Sequence, residues 1–291
     1  GFVTGFWISL AATLVLAAAT FILRRQEPVR SDLIGPISTL FGLAALALVY
    51  FTLMSLWDED YGGIFFNTIF ISSMIVILGL IIALAIAYLV FQPVKGASIY
   101  RTLLIWPYAI SPPIAGILFF VMFDPTAGIF DHLSNTFLGA ELPNYREDEW
   151  LARWVVILAS VWKTLGYNIL FYLAGLQNVP KELLEAASID GANVWQRFRN
   201  VVIPALSPIT FFLIITNLTY AFFETYGTID YLTRGAPAGA TSVAIYELIE
   251  VGITQKRLGQ GAAHSVILFA MVIAVTVWQF RTSGSRVNYG A

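Results

Sequence analysis

Residues 177–208 read QNVPKELLEAASIDGANVWQRFRNVVIPALSP. An apolar run precedes this stretch, about 151–176, and another, about 207–228, follows from its end. Each is long enough to cross a bilayer, which takes roughly 20 apolar residues. The stretch itself carries Lys181, Glu182, Glu185, Asp190, Arg197 and Arg199 and cannot sit in hydrocarbon. Asn178 is the expected N-cap of a first helix, Pro180 suits its first turn, and Glu182 and Glu185 favour its positive end. Gly191 can take the left-handed conformation that ends such a helix. A second helix is expected from Val194, Trp195, Phe198, Val201 and Val202, which recur at helical spacing, with Pro204 and Pro208 stopping it. Each helix is about ten residues long, too short to span. The pattern predicts a two-helix knob with an apolar face and a charged rim, presented on one side of a membrane. A hairpin lying on the lipid headgroups is the alternative.

Composition agrees with a membrane setting. The 291-residue chain is 58% hydrophobic and 12% charged, against about 25% charged in soluble domains, and its mean hydropathy is +0.77. Seven spans are predicted, at about 2–23, 35–57, 64–91, 101–123, 151–176, 207–228 and 262–281. The fold class is all-α and polytopic. Pro107, Pro112 and Pro113 interrupt the fourth span, which either frees backbone groups for a hinge or a polar lining or merely kinks the helix. No repeat of 20–50 residues stands out. The chain has no cysteine, which excludes disulfides, thiol nucleophiles and Cys-ligated metals. A net charge of −2 gives no sign of nucleic-acid binding. The chain begins at Gly1 rather than Met, so a preceding segment is expected; residues 1–23 lack the cleavage site of a signal peptide.

The basic residues give the orientation. Arg24, Arg25, Arg30, Lys95, Arg101, Lys181, Arg197, Arg199, Arg281 and Arg286, ten of the 16 Lys and Arg, fall on one side. Asp58, Glu59, Asp60, Asp124, Asp131, Glu141, Glu147, Asp148 and Glu149 fall on the other. By the positive-inside rule the C-terminus of this multi-pass chain is cytoplasmic, and the knob faces the cytosol.

Within the stretch, Glu185-Ala186-Ala187, three residues, Gly191, nine residues, then Val201-x-Ile203-Pro204 resembles the EAA loop of the permeases of binding-protein-dependent ABC importers. The family pattern ends in I-x-L-P, so Val201 and Ile203 are conservative departures. The resemblance extends over about 64–291. Stretches 103–125 (LLIWPYAISPPIAGILFFVMFDP), 160–192 (SVWKTLGYNILFYLAGLQNVPKELLEAASIDGA) and 220–230 (YAFFETYGTID) are most similar to the A-type permeases of glycerol-3-phosphate importers, and sugar importers share parts of the first two. The resemblance implies a type I importer core over 61–291, with a coupling loop at 177–206 that docks into a cytoplasmic ATPase homodimer. Glu185, Ala186, Ala187, Asp190, Gly191, Trp195, Phe198 and Pro204 are the coupling residues it implies. It also implies a second homologous permease, a periplasmic or lipid-anchored binding protein, and ATP and Mg bound by the ATPase, with no cofactor in this chain. Residues 1–60 depart from the family and read as an atypical N-terminal transmembrane hairpin.

The chain has no G-x-x-x-x-G-K-[ST] loop, so energy would come from the partner. An intramembrane enzyme is disfavoured, because His132 and His264 lie far apart and no H-E-x-x-H occurs. A secondary transporter would show paired broken spans around a midplane site, and only the fourth span is clearly broken. Ionisable residues inside spans usually face a cavity or the bundle interior. Lys163 is the first candidate, either attracting an anionic group or forming an ion pair with Glu224. Asn168, Tyr220 and Thr225 are candidates to hydrogen-bond substrate hydroxyls, and Tyr167, Asn217 and Glu224 are placed on the same path. Trp162, Tyr172, Phe222, Phe223 and Tyr226 could line that path or simply pack. No catalytic residue and no metal site is expected.

Overall fold

The computed structural model describes residues 59–91, 97–139 and 142–283. The first two expected spans, with Arg24, Arg25, Arg30, Lys95 and Arg286, lie outside these residues. Among the described residues four helices are long and apolar enough to cross a membrane: Gly62–Phe91, Glu149–Gln177, Ser207–Leu232 and Leu258–Arg281. They correspond to the third, fifth, sixth and seventh predicted spans.

The first described helix, α1 (Glu59–Phe91), packs along α5 (Glu149–Gln177). Ala83 and Ala87 of α1 are fully buried, and side chains this small let helices approach closely in a bilayer, where burying apolar surface gives no drive. α5 is the central helix: 61% of its most apolar window is buried within the chain, against 11% for α12 (Leu258–Ser283), which packs on the core through Leu268, Met271, Val272 and Val275 and exposes much of the rest.

The fourth predicted span is not one helix. α2 (Ala97–Ile105) runs into a 3₁₀ turn, Trp106–Ala109, and α3 (Pro112–Met122) leaves at 107° to it. Pro107 lies in the turn and Pro112 opens α3, with Ser111 extended between them at ψ 152°. A proline at a first helical turn loses no hydrogen bond, so the break is made where prolines are tolerated. The bend is seated by glycines. A Cβ on Gly166 of α5 would lie 2.8 Å from the Ile105 Cα and the Leu104 oxygen, and one on Gly116 of α3 would lie 2.7 Å from the Thr228 oxygen. Backbone therefore rests on backbone at both contacts.

Beyond α5 come α6 (Lys181–Ile189), α7 (Val194–Arg197), a π-helical turn Phe198–Val202 and α8 (Ile203–Ala205). The sixth span is α9 (Ser207–Thr219), a π-helical turn Tyr220–Glu224 and α10 (Thr225–Leu232). In the π turn the Ala221 carbonyl accepts from Ser72 Oγ of α1 at 3.2 Å and from Thr225 Oγ1 at 3.0 Å. Side-chain hydroxyls thus serve a polar backbone group that hydrocarbon cannot solvate.

At the opposite end from the knob lie α4 (Ile129–Leu138), the loop 233–243 and α11 (Ala244–Ile249) with its π turn Glu250–Thr254. α1 holds this end together. Asn67 Nδ2 donates to the Gly239 and Ser242 carbonyls at 2.8 and 3.3 Å, and Thr68 Oγ1 accepts from the Ala244 amide at 2.7 Å. Buried Arg153 of α5 donates to Asn67 Oδ1 at 3.0 Å and pairs with Glu149 at 3.4 Å. Asp124 organises the neighbouring loop: its carboxylate accepts from the Thr126 amide and hydroxyl, the Ala127 amide and Arg146. The Thr126 amide, first among these donors, and then the others hold its carboxyl well below the usual carboxylate range.

Candidate functional site

Two parts of the chain carry the residues singled out in the sequence. The first is the knob. α6 ends in a Schellman motif: the Ala192 amide donates to the Ala187 carbonyl at 2.9 Å, and the Gly191 amide to that of Ser188 at 3.2 Å. Gly191 sits at φ +80°, a conformation that glycine adopts without Cβ strain. Asn193 then opens α7 with a capping box, its Oδ1 accepting from the Gln196 amide while Gln196 Oε1 accepts from its own. Two consecutive motifs therefore set the angle between α6 and α7 by local chemistry.

Two expectations are corrected here. Asn178 is not the N-cap of α6. It ends α5, donating from Nδ2 to the Ala174 carbonyl at 3.2 Å, and Pro180 holds the N-cap position without a side-chain bond. The second helix is also not continuous. Pro204 has no amide to give the Asn200 carbonyl, and the preceding turn widens, with the Ile203 amide reaching back to Phe198. The predicted apolar face divides as a result. Val194 and Trp195 point outward, with Trp195 64% exposed, whereas Phe198 packs on Tyr88 of α1 at 4.6 Å between ring centroids and Val202 is buried. Leu183 and Ile189 of α6 are exposed as well, Ile189 at 86%. Glu185, Ala186 and Asp190 are exposed, while Ala187 and Pro204 are half-buried. The knob is rigid at its base and apolar at its tip.

The second part is a cavity of about 370 Å³ between α5, the 3₁₀ turn and the sixth span. Lys163, Tyr167, Asn217, Tyr220 and Glu224 line it, as do Tyr108, Thr164, Thr216 and Thr219. Lys163 is 5% exposed, and its Nζ lies 5.4 Å from the Tyr108 ring centroid and 5.2 Å from that of Tyr220. Two aromatic faces thus stabilise a cation that hydrocarbon would reject. Among the described residues the ion pairs are Arg146–Asp124 and Arg153–Glu149. Lys163 and Glu224 share the cavity without pairing.

Asn168 and Thr225 are fully buried and do not line it. Asn168 forms a reciprocal amide pair with Asn217, at 3.0 and 2.6 Å, which ties α5 to α9. Thr225 spends its hydroxyl on the π turn. Trp162 packs on Phe119, Tyr226 stacks on Tyr246, and Tyr172 and Phe222 are buried. Sequence reasoning missed Tyr108, Thr164, Thr216 and Thr219. A hydroxyl-bearing run, Thr216-Asn217-x-Thr219-Tyr220, was the signal for two of them, and the tyrosine between Pro107 and Pro112 for another.

Chains of known function agree with this architecture. A family model described as binding-protein-dependent transport system inner membrane component matches residues 75–281. The sn-glycerol-3-phosphate transport system permease protein UgpA of Yersinia pestis is 44% identical over 232 residues, covering 80% of this chain and 78% of its own. The protein of that name from Rhizobium meliloti is 40% identical over 267 residues, 91% of this chain and 88% of its own. At that coverage the alignment reaches into residues 1–60. A solved bacterial alginate ABC transporter, in complex with an alginate pentasaccharide-bound periplasmic protein, has a chain that superimposes with a TM-score of 0.72 at 18% identity, over 89% of this chain and 92% of its own. That likeness speaks for the fold alone. Matched across most of its length by both family model and relatives, the chain belongs to the binding-protein-dependent transport system inner membrane components, the permease subunits of ABC importers.

Proposed function

We propose that this chain forms half of the translocation pathway of an ATP-driven importer for glycerol-3-phosphate or a related phosphodiester. A binding protein delivers the substrate on the outer side, a second permease completes the pore, and a partner ATPase dimer binds and hydrolyses ATP with Mg. The C-terminus and the knob face the cytosol, a reading supported by Arg197 and Arg199 beside the knob and Arg281 at the end of α12. Residues 61–291 act as the permease unit. Glu185, Gly191 and Trp195 present the exposed part of the knob to the ATPase, and Phe198 and Val202 carry its movement into α1 and the sixth span. Closure of the ATPase dimer would rock the spans as rigid bodies between inward- and outward-facing states.

The observation that carries the substrate reading is Lys163, a lone cation lining a hydroxyl-rich cavity between two tyrosine faces. A phosphate can take the ammonium as a charge-assisted partner, and Thr164, Thr216 and Thr219 can meet hydroxyls. The test is Lys163→Gln in the complete transporter, with uptake of glycerol-3-phosphate measured beside that of a neutral polyol. Selective loss of phosphate-ester uptake is expected. Unchanged uptake of glycerol-3-phosphate would refute the anion site and leave a neutral sugar or polyol as the better reading.

A further inference from the structure

The charge inventory of the cavity is small and balanced. Among the described residues lining it, Lys163 is the single cation and Glu224 the single anion, and the other side chains carry hydroxyls or an amide. The two charges come from different elements, α5 and the π turn of the sixth span. They are beyond ion-pair reach of each other: Lys163 Nζ rests on two tyrosine faces, and Glu224 stands exposed. A paired lysine and glutamate would largely cancel each other. Held apart, each acts on whatever enters. A sphere of 370 Å³ is roughly 9 Å across, about one screening length at physiological salt. At that distance a phosphate seated on Lys163 still feels Glu224, with about a third of the unscreened interaction remaining.

We propose that Glu224 sets the charge selectivity of the pathway, so that the cavity favours a phosphate ester bearing one negative charge over one bearing two. The proposal rests on the reading of this cavity as the substrate path. A phosphodiester carries a single charge, whereas a phosphomonoester carries about −1.5 to −2 at neutral pH. Lys163 compensates one charge. The second has no cation among the lining residues and is repelled by the carboxylate, which makes the difference between the two esters a function of Glu224.

The test uses the complete reconstituted transporter. Half-saturating concentrations for uptake are measured for glycerol-3-phosphate and for a glycerophosphodiester, and their ratio is compared between variants. Glu224→Gln is expected to shift the ratio about threefold in favour of the monoester, the order expected for removing one screened unit charge at this range in a partly polar site. Glu224→Asp keeps the charge and should keep the ratio within about twofold. Thr219→Glu adds a second carboxylate and should shift the ratio in the opposite direction, so the proposal stays testable if Glu224→Gln transports nothing. Ratios equal to wild type in both Glu224→Gln and Thr219→Glu, with Lys163→Gln still losing both esters, would overturn the role of Glu224 and leave the substrate path standing. Full uptake of both esters by Lys163→Gln would overturn the path and the proposal with it.

Discussion

Replacing Gly191 by alanine should weaken docking of the ATPase by an amount that the turn itself dictates. The residue sits at φ +80°, and no atom of the chain lies within 4 Å of where its Cβ would be. The substitution therefore meets no clash within this chain, and its cost is the backbone cost of an L-residue in the left-handed region, about 1–2 kcal/mol. An unbound knob can relax out of the turn, but the docked knob needs the Schellman geometry that sets α6 against α7. The full cost then appears in binding, as a loss of about 5- to 30-fold in affinity. Asparagine, which tolerates this region, should lose less, and β-branched valine more. The assay is titration of labelled ATPase onto the permease complex in nanodiscs, with membrane insertion checked separately. Valine binding at wild-type affinity would refute the reasoning. So would a loss above about 100-fold for alanine, because that exceeds any backbone penalty and would mean the glycine contacts the partner directly.

Other consequences follow from single contacts. Asn217→Leu should destabilise the chain by about 1–3 kcal/mol, since it leaves the fully buried Asn168 amide without its partner; Asn168→Leu/Asn217→Leu together should recover most of the loss in thermal unfolding, and additive losses would contradict the pairing. Gly166→Ala places a Cβ 2.8 Å from Ile105 and Leu104 backbone and should lower stability by about 1–3 kcal/mol while reducing uptake; an unchanged melting temperature would show that the bent pair is not seated there. The depressed carboxyl of Asp124 stabilises the loop around it fully above the ordinary carboxylate range, about pH 4, and that contribution is lost as pH falls through the lower folded value. Asp124→Asn should therefore raise hydrogen exchange at 124–128 and 144–147 at pH 6, with the difference from wild type shrinking only in strong acid.

What the sequence conveyed and what it withheld have physical reasons. Apolar length is a local property, so four of the spans within the described residues were readable directly, and the prolines at 107, 112 and 113 announced the break in another. The left-handed turn at Gly191 was equally local, because its chemistry lies in one residue. Asn178 misled because a cap residue between two helices fits either as the end of one or the start of the next, and backbone conformation decides which. The π turns at 198–202 and 220–224 were invisible: they depend on one missing amide at Pro204 and on a hydroxyl arriving from α1 at Ser72. The cavity was half legible. Lys163 and Glu224 stood out as charges in apolar runs, but the rings that flank the Lys163 ammonium, Tyr108 and Tyr220, are brought together by tertiary packing. Asn168 and Asn217 looked like substrate contacts for the same reason that they form a structural pair: a buried amide needs a partner, and the sequence does not say which.

This permease is expected to move solute only when ATP-driven closure of a partner is delivered through residues 177–206. That dependence is tested most directly in proteoliposomes, by measuring glycerol-3-phosphate uptake by this chain alone and by the chain with its second permease, ATPase dimer and binding protein. The isolated chain should show no uptake, and the full set should show ATP-dependent uptake that Glu185 and Gly191 substitutions reduce while the subunits still insert. Uptake by the isolated chain, or uptake by the full set that persists without ATP, would contradict that dependence.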